Sequence, residues 1–248
     1  ILAVWATLFG LAASLGLGVG QISAGLNFLF GTPDTTAMQV GLIFIITGFA
    51  TASVVSGIGA GVKILSELNI YLAAALMVFV LAVGPTLFIL GGFLETLGYY
   101  ASSLPQLSFW TETFENTQWQ NSWTVFYWAW WISWSPFVGT FIARISKGRT
   151  IREFVLGVLL LPSMVSFLWM SVFGGSAMYL ELNNIGNLAE AVNENVATAL
   201  FVMLQNFPLT QLTSFIAIVL VVVFFVTSSD SGSLVVDNLT SGGKLDSP

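Results

Sequence analysis

The chain has 248 residues, 56% of them apolar and only 7% charged, with a net charge of −6. A soluble domain carries about 25% charged residues, so a chain with a mean hydropathy of +0.90 would expose too much apolar surface in water and belongs in a bilayer. It holds no Cys and no His, which excludes disulfides, thiolate metal sites and the commonest general base. Its basic residues gather only in one short loop, which argues against a nucleic-acid partner.

The length predicts about six spans plus loops. The chain opens at Ile1 inside an apolar run, with no basic n-region or cleavage site, and closes at Pro248 just after a span. Both ends are expected to be interior to a longer protein. The first span is expected over residues 2–30. Gly16, Gly18 and Gly20 alternate there, flanked by Gly10 and Gly25, a pattern that predicts close helix packing. Glycines this dense could also open the helix; a phosphate loop fits poorly, because no strand precedes them and no Lys follows. Thr32-Pro33-Asp34 reads as a tight turn. The second span, 36–56, ends in the Gly-rich run Ser56 to Gly61, before Lys63 and Glu67. The third, 69–94, carries Gly84-Pro85 near its middle, a kink whose freed carbonyl needs a partner.

Residues 95–121 change character. Glu95, Glu112, Glu115 and Pro105 interleave with aromatics, and Phe109, Trp110 and Phe114 recur at helical spacing, so an interfacial amphipathic helix is expected at about 101–121. It would divide the chain into two groups of three spans. The fourth span, 122–145, is followed by the basic cluster Arg144, Lys147, Arg149 and Arg152. The fifth covers 154–179. The sixth, 196–228, is interrupted by Pro208 and expected to stop at the polar run Thr227 to Ser233. With these spans every basic residue (Lys63, the 144–152 cluster and Lys244) falls on one side, while Asp34, Glu95, Glu112, Glu115, Glu181, Glu190 and Glu194 fall on the other. The positive-inside rule makes the basic side cytoplasmic.

The densest chemistry lies from Trp123 to Gly139, WTVFYWAWWISWSPFVG. On a 3.6-residue period Tyr127, Trp131 and Trp134 share a face, Trp128 lies one turn before Trp131, and Trp130 pairs with Trp134. Several indoles on one side can cage a cation that has no hydrogen-bond donors, such as a quaternary ammonium. The alternative is an interfacial aromatic belt, although the run extends three turns toward the middle of the span. An enzyme is not indicated: the acids sit in loops, and Ser133 and Ser135 lack a base. Thr227 and Ser228 follow a bulky run; their hydroxyls can join helix-end carbonyls around a hard cation, or simply bond back onto the preceding carbonyls.

The stretch WAWWISWSPFVGTFIARISKGRTIREFVLGVLLLP, within an unbroken match from Trp123 to Pro162, resembles the signature of the betaine/choline/carnitine transporter family. Weaker agreement runs through SLGLGVGQI near the start and TSSDSGS near the end. The resemblance implies an all-α membrane protein with a LeuT-type core of two inverted repeats, of which this chain is a part. Residues 1–100 would be the last three helices of the first repeat, 101–121 the connector, and 122–240 the first three helices of the second. It implies that Trp131 belongs to the central quaternary-ammonium box, Trp130 and Trp134 to the transport path, and Phe126 and Trp128 to an outer aromatic path. Phe224, Thr227 and Ser228 would ligate sodium, with Thr7, Ser14, Ser133 and Phe137 as a second ion site. The carnitine exchangers place an Arg on the Gly-rich span; here no basic residue precedes Lys63, which implies ion-coupled symport. The expectation is a sodium-coupled importer of glycine betaine, choline or carnitine in the cell membrane, with protons as the alternative coupling ion and no other cofactor. The resemblance is compatible with a homotrimer. A substrate exchanger, a dimethylsulfoniopropionate-type importer, and a channel or receptor with a structural Trp helix remain the rival readings.

Overall fold

The computed structural model describes residues 1–55, 61–115 and 117–241, and among them it contains helices and no strand. Residues 56–60, the expected Gly-rich end of the second span, and Lys244 lie outside the described residues. The helices are α1 (Leu2–Phe30), α2 (Thr36–Val55), α3 (Gly61–Val83), α4 (Thr86–Phe109), α5 (Phe126–Ile145), α6 (Ile151–Leu182), α7 (Leu188–Glu194), α8 (Ala199–Leu204) and α9 (Thr210–Thr240). A π-helical turn, Gln120–Val125, leads into α5. Four helices, α1, α3, α6 and α9, are long and apolar enough to cross a membrane. The other two expected spans fall on α2 and α5, each of 20 residues, about 30 Å of helix and enough for a bilayer core. Trp, Tyr and Ser lower the hydropathy of α5.

Two spans differ from expectation. Gly84-Pro85 does not kink one helix but ends α3 and starts α4. Pro85 has no N–H to give the carbonyl of Leu81. That carbonyl instead accepts the Thr86 hydroxyl at 2.6 Å, and the Gly84 N–H closes onto Val80 O at 2.9 Å. The third span is therefore 61–83. The connecting helix between the third and fourth spans is α4, which begins at Thr86. The separate amphipathic helix expected at 101–121 is not formed: 101–109 are the last turns of α4, and the described residues from 110 to 118 are non-helical. The sixth span starts at Thr210, after Pro208, and does not stop at Ser228. α9 runs unbroken to Thr240, because its polar residues bond back onto their own helix, Thr227 to Val223 O and Thr240 to Val236 O.

The chain divides into two compact units: Ile1–Ser14, Leu94–Leu161 and the chain from Ser231 make one, Leu15–Phe93 and Pro162–Asp230 the other. The second unit holds a core of Val19, Ile22, Val80, Val172, Phe201, Leu204 and Ile218. Here α1 comes close to its neighbours at Gly25, where a Cβ would lie 2.5 Å from the Phe201 ring and 2.7 Å from Ile218. Gly16 and Gly20 have open space around them, and Gly18 has ordinary contact distances. The alternating glycines are thus not the packing surface expected of them; in α1 residues two apart point in different directions, and the flanking Gly10 and Gly25 make the close contacts. The Thr32-Pro33-Asp34 turn is anchored where Asp34 accepts the Ser23 hydroxyl at 2.6 Å and the Gln39 amide at 3.1 Å.

Candidate substrate and ion sites

The loop after α4 sets the entry angle of the Trp helix. Glu112 adopts a left-handed backbone, φ +55°, and folds its carboxylate over the chain ahead. Oε1 accepts the Thr117 N–H at 2.6 Å, the Thr117 hydroxyl and the Trp119 N–H, and Oε2 accepts the Gln120 N–H at 2.8 Å. A carboxylate thus caps the helix start, where N–H groups lack helical partners. The Thr117 hydroxyl first, then the Gln120 N–H, hold the Glu112 pKa below the ordinary carboxylate value. Trp110 packs edge-on against Trp119 with ring centroids 5.4 Å apart.

From the π-helical turn the aromatic side chains form a ladder. Tyr127 is its hub: its ring meets Trp123 (6.4 Å), Phe126 (5.6 Å), Trp130 (6.1 Å) and Trp131 (6.0 Å). Trp119, Trp123, Thr124, Tyr127, Trp128 and Trp131 line an open groove of about 330 Å³, and among the described residues no charged side chain lines it. Trp131 is 62% exposed there. Of the expected substrate residues, the groove gathers Trp128 and Trp131. Phe126 and Trp130 pack edge-on against each other at 5.3 Å and do not line it. Trp134 leaves the face it shares by periodicity with Tyr127 and Trp131, because its indole N–H donates to the Ser14 hydroxyl at 3.0 Å and its ring stacks edge-on against Phe137 at 5.3 Å. Sequence reasoning left Trp119, Trp123 and Thr124 out of the site. They precede the α-helical register, and a π-helical turn brings them round to Trp128 by a spacing that the 3.6-residue period does not describe.

α5 carries its own proline device. Pro136 leaves the carbonyl of Ile132 without a helical donor, and the Ser135 hydroxyl fills the gap at 2.8 Å. Ser133 donates to Trp130 O at 2.7 Å. Of the second expected ion set, Ser133 on α5 approaches α1 at Gly10 and Ser14 on α1 meets α5 through Trp134. A Cβ on Gly10 would lie 2.6 Å from the Ser133 hydroxyl, so only Gly permits this approach. Thr7 and Ser14 flank Gly10 on the same face; Thr7 is buried and donates to Ala3 O at 2.9 Å.

Phe224, Thr227 and Ser228 lie inside α9 rather than at a helix end. Phe224 is exposed and the two hydroxyl residues are half-buried. Thr227 donates to Val223 O at 2.9 Å and to Phe224 O at 3.3 Å. A hydroxyl that donates to a carbonyl keeps its lone pairs for a cation. One turn on stands Asp230, 2% exposed and the only buried acid among the described residues. Its signal in the sequence was a carboxylate at i+3 from Thr227, hidden once the helix was expected to end at Ser228.

These helices define a multi-pass, all-α membrane protein. The chain belongs to the BCCT family, the betaine/carnitine/choline family transporters, whose model matches residues 1–248. It is 53% identical over 248 residues to a glycine betaine/proline/choline transporter of Vibrio parahaemolyticus, covering all of this chain and 44% of that protein. It is 50% identical over 246 residues to a glycine betaine transporter of Bacillus subtilis (98% of this chain, 48% of the relative). An ectoine/glycine betaine/proline transporter of Corynebacterium glutamicum is 49% identical over 251 residues, with 41% of its length covered. The chain thus spans less than half the length of these relatives.

Proposed function

We propose that the protein containing this chain imports a quaternary-ammonium osmolyte, glycine betaine foremost, by sodium symport with alternating access. The observation that carries the reading is the groove of Tyr127, Trp128 and Trp131, walled by aromatic rings and, among the described residues, free of charged side chains. Ring faces attract a cation through their quadrupole and need no hydrogen-bond donor from it, which suits a trimethylammonium group. The substrates for which the relatives are named, glycine betaine above all, agree with that chemistry. Trp131 and Trp128 would contact the substrate, with Tyr127 holding their rings in place and Phe126 and Trp130 supporting Tyr127.

Sodium would be carried with the substrate. Thr227 and Ser228 offer hydroxyl oxygens within one turn of the Phe224 carbonyl, the hard donors that Na⁺ takes. The α1–α5 contact of Thr7, Ser14, Ser133 and Phe137 is the second candidate. Residues 1–100 and 122–240 would belong to two inverted repeats that move against each other around a midplane site, in a cell-membrane protein assembled as a homotrimer. The test is uptake of labelled betaine, choline and carnitine by the full-length protein, with and without Na⁺. Betaine uptake that requires Na⁺ is expected. Sodium-independent uptake driven by preloaded substrate would replace symport with exchange, and no uptake of any of the three would sink the reading.

A further inference from the structure

A cavity of about 980 Å³ lies where the end of α4, the loop after it and the first turns leading into α5 come together, within one unit of the chain. Its wall carries the rings of Tyr100, Trp110, Trp119 and Trp128, the carboxylate of Glu115 and the side chain of Gln120. It shares Trp119, Thr124 and Trp128 with the aromatic groove but differs from it in having a formal charge. The neighbouring Glu112 is consumed by its four capping hydrogen bonds. Glu115 makes no ion pair and no side-chain hydrogen bond among the described residues. Among the described residues no Lys or Arg side chain lines the cavity. The wall therefore attracts cations and repels anions.

Two further observations narrow the occupant. The amide oxygen of Gln120 is buried without a hydrogen-bond partner, while its nitrogen donates to Trp110 O at 2.9 Å. An unpaired carboxylate and an unpaired amide oxygen both ask for N–H donors, which a quaternary ammonium lacks and a primary ammonium has. Around the cavity apolar side chains stand free: Phe114 is 100% exposed, Phe109 84% and Leu107 52%. Beside the start of a membrane span such side chains seek acyl chains. A single molecule that offers a primary ammonium and acyl chains together is an aminophospholipid. We propose that this cavity binds the headgroup of phosphatidylethanolamine, its ammonium held by Glu115 and Gln120 among the indole rings. The inference rests on membrane embedding and is independent of the transport reading.

The test uses the full-length transporter reconstituted in vesicles of equal phosphatidylethanolamine and phosphatidylglycerol, gently extracted and weighed with its retained lipid by native mass spectrometry. Wild type should retain phosphatidylethanolamine over phosphatidylglycerol by about tenfold, the scale of one charge-assisted hydrogen bond. Glu115→Gln should abolish the preference. Replacing phosphatidylethanolamine by phosphatidylcholine, which removes the N–H donors and leaves the protein untouched, should lose it too. Equal retention of the two lipids by wild type, or a preference that survives in Glu115→Gln or with phosphatidylcholine, overturns the proposal. So does displacement of the bound lipid by millimolar free choline, which would make the cavity a solute site.

Discussion

Trp131 and Trp134 stand three residues apart on α5, yet one turns an open face to the groove and the other is bonded to Ser14. Their substitution should separate recognition from packing. In a water-poor site a Trp–cation contact is worth about 2 kcal/mol, roughly thirtyfold in affinity. Trp131→Leu keeps an apolar, helix-compatible side chain and removes the ring face, so betaine binding by the full-length transporter should weaken by about one to two orders of magnitude. A neutral isostere, with carbon in place of the quaternary nitrogen, should bind poorly to wild type and lose little more in the variant. Equal losses for charged and neutral ligands would leave Trp131 a space-filler and end the cage reading.

At the scale of elements, hydroxyls repair what proline removes. Thr86 serves the carbonyl orphaned by Pro85, and Ser135 the one orphaned by Pro136; in a bilayer no water could do so. The same residue types in unbroken α9 are free of that duty. Replacing Thr227 and Ser228 together with Ala keeps the helix and removes two candidate ligands, so the sodium dependence of uptake should move its half-saturation to higher Na⁺. Unchanged sodium activation in a well-expressed double variant would reduce the pair to helix filling. The cap on the Trp helix has its own signature in pH. The pKa of Glu112 is lowered in the folded protein, so its stabilisation is complete above the ordinary carboxylate value and fades as pH falls through the lowered folded value. Hydrogen exchange at the Thr117, Trp119 and Gln120 amides, corrected for intrinsic rates, should lose protection only at that acid end. In Glu112→Ala, which removes the acceptor oxygens, these amides should be unprotected already at neutral pH. Protection in the variant equal to wild type would show that the carboxylate does not hold the turn.

For the whole molecule, the distribution of charge orients the chain. The positive-inside rule leads us to expect Lys63 and the cluster from Arg144 to Arg152 on the cytoplasmic side. The same rule leads us to expect Glu95, Glu112 and Glu115 on the opposite side. In the full-length protein a single Cys at Gly148 should resist an impermeant thiol reagent in intact cells, and one at Asn184 should react. The reverse labelling would invert the topology.

Apolar composition and the run of long hydrophobic segments were sufficient for an all-helical membrane protein, because in lipid each span must satisfy its own backbone hydrogen bonds and so reads as a continuous local signal. The Trp-rich stretch was legible for the same reason: residue type and helical period are local. What the sequence could not convey depended on partners distant along the chain. Gly10 and Gly25, rather than the more conspicuous Gly16 to Gly20, became the close contacts because Ser133, Phe201 and Ile218 happened to face them. Trp134 left the aromatic face because Ser14, 120 residues away, accepts its N–H. The groove took in Trp119 and Trp123 because Glu112 folds back to cap a π-helical turn. A side chain's rotamer and a helix's register at its ends are settled by what packs against them, and those neighbours are assembled only by the tertiary fold.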